Sequence, residues 1–334
     1  MTMGDKGHQL GDLGTSEHLI KDLYIDLRKR VNEWAEITKQ TAQARMGYIG
    51  QHLVSVVTGF PGGKSGARGR DLILPNGEFA EIKTCYRVDQ LSRCNACGAV
   101  IASIEQSCPS CGATDIRRNE DSKWLIGIRN DAEFEEILNP VYYYLALFDF
   151  VDVNDPNTIR ASIWKVDSSS PGFAYCMVDY YLNIRAKSLS KAPFNLWPYQ
   201  LKFDLMKPKL IYRSLIKADD IIHTEVFPGR DKAQFGNLKP LPEYSGSLNL
   251  TMGKIVDLGR ALGITLDSTK TKKKDALNVV QKEIDKRHLP EPTIADLVSF
   301  FLYYSDISEA SLPDKLRSKL DSITAKIQTV LKAL

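Results

Sequence analysis

ARGRDLILPNGEFAEIKTC, residues 67–85, decides how this chain is read. Apolar runs flank Pro75-Asn76-Gly77, so the segment predicts a β-hairpin. Asp71, Glu81 and Lys83 stand in it where a core strand would carry Val or Leu. Loop length decides where they point. With a three-residue loop Leu74 pairs with Glu78, and antiparallel counting sets Asp71 opposite Glu81, their Cβ atoms ~5 Å apart. Lys83 lies two residues beyond Glu81 and so shares its face. A two-residue Asn-Gly loop sets Asp71 opposite Ile82 instead and disperses the group, because a one-residue slip flips the face.

Upstream, from Thr15, the residues Leu19, Ile20, Leu23, Tyr24, Leu27, Val31 and Trp34 recur every three or four positions and predict an amphipathic helix. A second helix is expected over about Tyr48 to Val57, with Gly59 as its C-cap. Between it and the hairpin runs GFPGGKSGARGR, which lacks the Gly-x4-Gly-Lys-Ser spacing of a phosphate-cradling loop. No Ser-His-Asp arrangement is evident, and His52 and His223 read as packed or exposed. Downstream, KWLIGIR, VYYYLALFDFV and TIRASIWKV read as strands, with AEFEEIL as a short helical piece between the first two. Residues from about 166 to 245 read as strands and loops. Beyond Ser245 the segments MGKIVDLGRALGI, KKDALNVVQKEIDKR, TIADLVSFFLYYS and LPDKLRSKLDSITAKIQTVLKAL read as helices. The expected division is a domain over 1–245, with an insert at about 91–118, and a helical domain over 246–334.

The totals constrain little else. Of 334 residues, 43% are hydrophobic and 25% charged, as in ordinary folded proteins. A net charge of +3 does not announce a nucleic-acid binder, although a local basic surface can hide in that sum. No stretch approaches the ~20 apolar residues that span a bilayer, and the polar start MTMGDKGHQLGDLGTSE has no signal core. The expectation is a cytoplasmic protein with no membrane partner.

Cys94-x2-Cys97 and Cys108-x2-Cys111 form two short knuckles, each followed at once by Gly. Two thiolates from each can converge on one tetrahedral Zn²⁺. Four protein ligands leave no open position, so the expected zinc is structural. The insert either staples a loop or staples one that touches nucleic acid, with Arg87, Arg93, Arg117 and Arg118 around its base. Cys85 and Cys176 read as small buried residues.

The hairpin cluster suits another metal. Asp71 and Glu81 offer hard oxygen ligands for Mg²⁺, assisted by the Ile82 carbonyl. An ion there lowers the pKa of bound water and neutralises a phosphodiester oxygen, and Lys83 orients the attacking hydroxide or stabilises the transition state. The simpler reading of the same residues is a surface strand with a Glu–Lys salt bridge.

Arg70-Asp71, nine residues, then Glu81-Ile82-Lys83 resembles the PD-(D/E)XK nuclease motif, with Arg70 where that motif often has proline. The preceding helix, the Gly-rich loop and the hairpin resemble that superfamily's αβββαβ core over about residues 15 to 165, interrupted by the insert. The whole chain resembles type II restriction endonucleases. The segments ARGRDL and EIKTCYRVDQL, with the CxxC pairs, are similar to MamI-like members. The resemblance implies an α/β nuclease core, a mixed sheet flanked by helices, carrying a zinc-knuckle insert and a C-terminal helical domain. It also implies Mg²⁺-dependent cleavage of double-stranded DNA. Many members add a helix acid to the metal site. Here Gln51 takes that position, with Glu33 and Glu36 farther off, which weakens the case for a second metal.

Lys64, Arg68 and Arg70 are then expected at phosphates near the scissile bond, and Arg87, Gln90 and Arg93 at base edges. The segment from Met252 to Ile284 is similar to SAP-type helical hairpins, where Lys270, Lys272, Lys273 and Lys274 would meet phosphate at a helix N-terminus. Cutting both strands of a palindromic site suggests a homodimer. Two alternatives stay open: a structure-specific repair or junction-resolving nuclease of the same superfamily, and a non-catalytic zinc-ribbon DNA-binding protein.

Overall fold

In the computed structural model the described residues are 7–42, 44–63, 70–86, 92–101, 107–117, 125–126, 128, 130–152, 155–189, 194–195, 205–217, 221–229, 234–235, 251–289, 291–304, 307 and 312–334. They fall into two compact units. The first comprises Met1–Leu125, Asn139–Val166 and Lys209–Phe235; the second comprises Ile126–Leu138, Asp167–Pro208 and Gly236–Leu334.

Helices open the first unit. Asp12 caps α1 (Leu13–Leu19), its Oδ2 accepting from the Thr15 N–H at 2.7 Å. A π-helical stretch (Ile20–Asp26) then leads into α2 (Leu27–Thr38). Ile20 and Tyr24 are buried, as the apolar spacing predicts, and Ile25, outside that spacing, is buried with them, but α2 buries nothing. Trp34 is 66% exposed, so the predicted stripe outruns the core it was expected to cover. Helix α3 (Met46–Thr58) ends on Gly59 in the left-handed conformation, the expected C-cap. Its Ile49, Leu53, Val54 and Val57 share one core with Ile20, Tyr24, Leu72, Ala80, Ile82, Tyr144, Ala146 and Phe148.

In chain order the strands are β1 (Leu72–Ile73), β2 (Phe79–Tyr86), β3 (Ser92–Cys94), β4 (Val100–Ile101), β5 (Ile116–Arg117), β6 (Leu125–Ile126), β7 (Tyr142–Asp152), β8 (Asp155–Asp167), β9 (Phe194–Asn195), β10 (Lys209–Lys217), β11 (Ile221–Val226) and β12 (Gln234–Phe235). A seven-stranded sheet runs β1-β2-β7-β8-β10-β11, with β12 also paired to β10. Strand β2 pairs β7 in parallel and β1 antiparallel, so the sheet is mixed. Residues Tyr143 to Phe148 of β7 are all buried, which explains why that strand reads as a continuous apolar run rather than an alternation. The insert is a separate three-stranded sheet, β4-β3-β5.

The second unit is mainly helical. It contains α4 (Asp131–Glu135), α5 (Pro171–Tyr180), α6 (Met252–Ala261), α7 (Lys273–Lys286), α8 (Glu291–Ser299) and α9 (Asp314–Ala333). Helix α5 begins with Pro171 after the Ser170 cap and is buried from Pro171 to Val178. The sequence reading of strands and loops there is corrected. A helix that is apolar all round has no amphipathic period to betray it. Tyr175 reaches across to α9 through a 2.7 Å hydrogen bond with the Thr324 hydroxyl.

Candidate active site and metal centre

The hairpin takes the register that gathers its charges. Leu72 faces Ala80 and Ile73 faces Phe79, and the Leu74 N–H donates to the Glu78 carbonyl at 2.8 Å. Continued by one step, this count sets Asp71 beside Glu81, as the three-residue loop requires. The other edge of β1 is covered locally. Gly63 N–H donates to the Asp71 carbonyl at 2.9 Å, and Ile73 N–H to the Pro61 carbonyl at 3.0 Å. Asp71 is thus held by the backbone on both sides of β1.

Its carboxylate is held as firmly. Asp71 Oδ1 accepts from Gln51 Nε2 at 2.9 Å, and Oδ2 accepts from the Ile82 N–H at 2.8 Å. Lys83 forms an ion pair with Glu81, whose side chain is 12% exposed against 25% for the lysine. Helix α3 delivers Gln51 because it lies unusually close to β2. A Cβ at Gly50 would stand 2.7 Å from Thr84 Cγ2 and 2.9 Å from Thr84 Cβ, with Thr84 Oγ1 closer still. Only glycine permits that approach. The structure therefore brings Gln51, Asp71, Glu81, Ile82 and Lys83 to one edge of the sheet.

Burial pushes the Asp71 carboxyl above its ordinary range, against the Ile82 N–H, the Lys83 charge and the bonds from Glu81 and Gln51. Two carboxylates and a backbone carbonyl form an all-oxygen donor set, which fits Mg²⁺. Each carboxylate oxygen keeps lone-pair capacity beyond the bonds described. Tyr143 also belongs here, although sequence reasoning missed it. It is aligned with Glu81 across β2 and β7, buried, and pushed well above its ordinary pKa by burial and by the charges of Glu81 and Asp71. No local signal marks it, because a parallel register is set by the long crossover and not by neighbours in sequence.

Arg70 lies over the Phe79 ring, Cζ 4.6 Å from its centroid, just outside the cluster. Glu33 and Glu36 are exposed on α2. His52 and His223 are exposed, and Cys85 and Cys176 are buried. Lys64, Arg68, Arg87, Gln90 and Arg118 lie outside the described residues.

The four insert cysteines converge. The Sγ atoms of Cys94, Cys97, Cys108 and Cys111 all lie within 4.8 Å of one another. The knuckles repeat one geometry: Gly98 N–H donates to the Cys94 carbonyl at 2.9 Å, and Gly112 N–H to the Cys108 carbonyl at 2.7 Å. Both glycines are left-handed, at φ 73° and 75°. The Cys97 N–H lowers the Cys94 thiol to about 7. Cys111 is raised to about 12: the Ala113 N–H lowers it, but neighbouring thiols and burial outweigh that bond. Four thiols so close can ionise together only around a cation, and an all-sulfur tetrad fits Zn²⁺.

In the second unit Lys272 precedes α7 as its N-cap, and Lys273 and Lys274 lie in its first turn, all exposed. Lys270 is paired with Asp267 at 3.5 Å. Among the described residues no helix is long and apolar enough to cross a membrane.

A family described as MamI restriction endonuclease matches residues 33–242. The chain is 29% identical over 159 residues to the type II restriction enzyme MamI of Microbacterium ammoniaphilum. That match covers 46% of this chain and 45% of the relative, so it spans about half the length of each. No solved structure matches.

Proposed function

Because the chain belongs to the MamI restriction endonuclease family, we propose that it is a type II restriction endonuclease, making metal-dependent double-strand breaks in DNA at a specific sequence. The observation that carries this reading is the convergence of Gln51, Asp71, Glu81 and Lys83 on one sheet edge within the matched region. On this reading the sheet, α3 and the hairpin form a PD-(D/E)XK core, and the cysteine tetrad holds structural Zn²⁺.

Asp71, Glu81 and the Ile82 carbonyl would hold Mg²⁺. Bound there, it would supply Lewis acidity toward a water and a phosphodiester oxygen. The chain's own residues do the rest. Gln51 and the Ile82 N–H fix the Asp71 carboxylate so that it spends no reorganisation at the moment of reaction. Lys83 orients the attacking hydroxide and stabilises charge gathering on phosphorus. One P–O bond forms from the water oxygen, which gives up a proton to solvent, one P–O ester bond breaks, and the departing oxygen takes a proton from solvent. With Gln51 at the helix position instead of an acid, the donor set favours one ion over two.

Lys64, Arg68 and Arg70 lie just before Asp71 in the chain, which supports backbone contact near the scissile bond. The lysines at the start of α7 suit a second phosphate contact. A palindromic site would be met by a homodimer acting in the cytoplasm. The test is a digest of plasmid and phage DNA beside branched junctions. Discrete fragments from linear duplex support the reading. Cleavage confined to the junctions contradicts it and marks a resolving enzyme.

A further inference from the structure

On the ribbon formed by β4, β3 and β5, the strands pair so that Arg93 and Arg117 stand directly opposite each other. Both are exposed. The next pair along, Cys94 and Ile116, turns inward to the small core that holds Ile101 and Cys108. One face of the ribbon therefore wraps the cysteine tetrad, and the other presents two neighbouring guanidiniums. Directly opposed residues in an antiparallel pair have Cβ atoms roughly 5 Å apart, and like charges there repel. No acid relieves them within the described residues. Asp115, two positions before Arg117, is engaged instead by Asn95 Nδ2 at 2.8 Å.

We propose that Arg93 and Arg117, side by side on the outer face of the cysteine-stapled ribbon, clamp a phosphodiester of the DNA backbone. Two planar forks at that spacing can reach one or two adjacent phosphate groups, and the anion turns mutual repulsion into attraction. The metal then acquires a role in binding. An ion held by the tetrad would steady the pair, because Cys94 lies next to Arg93 in β3 and Ile116, next to Arg117, packs on the same small core. Arg93 becomes a backbone contact and not the base reader expected from its place in the sequence. The inference rests on DNA being the substrate.

The experiment is a salt titration of duplex binding, followed by fluorescence anisotropy without added magnesium. It compares the wild type with the Arg93→Gln/Arg117→Gln double variant. The double variant should bind about tenfold more weakly, the worth of roughly one charge-assisted hydrogen bond. The slope of log affinity against log salt should become shallower by about 0.9 for each phosphate that the variant leaves unneutralised. The loss should be equal on unrelated sequences, since backbone contacts carry no base information. Zinc content and melting temperature should be unchanged or improved, which a structural role for the arginines would not allow. A wild type that binds duplex while the double variant binds it with the same affinity and slope overturns the clamp alone. A loss confined to one sequence also overturns it, in favour of base reading. Inorganic phosphate that stabilises the wild type more effectively than duplex, phosphate for phosphate, marks a free-anion site and overturns the DNA assignment. A wild type that binds no duplex overturns the nuclease reading and the clamp together.

Discussion

Gly50→Ala tests whether the close packing of α3 on β2 builds the site. The new methyl would meet three Thr84 atoms, with Cγ2 at 2.7 Å and Cβ at 2.9 Å. Rotating Thr84 about χ1 exchanges Oγ1 and Cγ2 but leaves Cβ where it is. The helix must therefore retreat by about half an ångström to reach ordinary contact. Overpacking of this kind costs about 1–3 kcal/mol, and three close atoms put this site at the upper end. Replacing a helical glycine by alanine returns about 1 kcal/mol of propensity. The net loss should be about 2 kcal/mol, a roughly 25-fold shift toward the unfolded state. Urea unfolding of the wild type, Gly50→Ala, Thr84→Ala and the double variant measures it. Thr84 Oγ1 is buried and makes no hydrogen bond among the described residues, so Thr84→Ala alone should cost little. The double variant should recover at least half the loss. Cleavage by Gly50→Ala should fall as well, since the next residue is the Gln51 that holds Asp71. A Gly50→Ala protein as stable as the wild type, with an additive cycle, refutes the reasoning.

Other consequences follow from the same geometry. Gln51→Glu sets a third carboxylate about 3 Å from Asp71, a repulsion of roughly 1–5 kcal/mol between surface and partly buried limits. The melting temperature should drop without divalent metal and recover with Mg²⁺, and calorimetry should show tighter Mg²⁺ binding; unchanged affinity contradicts this. In the second unit Lys207 Nζ lies 2.7 Å from Asp296, whose carboxyl burial raises above its ordinary 3.8 despite that lysine. A raised folded pKa contributes stability that is complete below pH 3.8 and lost as pH climbs through the folded value. Lys207→Met raises it further, so its cost should grow from near zero in acid to about 1–3 kcal/mol at pH 7 and be reversed by Asp296→Asn; a pH-independent cost refutes it. Cys108→Ser should lower zinc, measured by elemental analysis, from about one ion per chain and release the ribbon; full zinc retention contradicts the tetrad.

Much of the site was legible because it is local. Pro75-Asn76-Gly77 marks the turn and narrows the register to two choices, of which the structure takes the three-residue loop, and the knuckles follow from Cys and Gly spacing. Gln51 was named only through the family resemblance, and the structure adds that it sits one residue past the glycine that brings its helix onto the sheet. What stayed hidden depends on distant chain. Tyr143 meets Glu81 only through a parallel crossover, and α5 is too apolar to show a period. Trp34 continues an apolar stripe yet is exposed, because spacing says which side of a helix is apolar and not whether anything covers it. The pairing of Arg93 with Arg117 likewise needs the ribbon's register, which the spacing of the cysteines alone does not specify.

Asp71, Glu81 and Lys83 are proposed to form a metal-dependent DNA-cleaving site. The most direct measurement is digestion of supercoiled plasmid and phage DNA, methylated and unmethylated, with and without Mg²⁺, by the wild type and by Lys83→Ala. Discrete fragments are expected from the wild type only with Mg²⁺, and intact DNA from a Lys83→Ala protein that still folds and binds duplex. Cutting by Lys83→Ala at the wild-type rate, or intact DNA from both proteins under every condition, would contradict it.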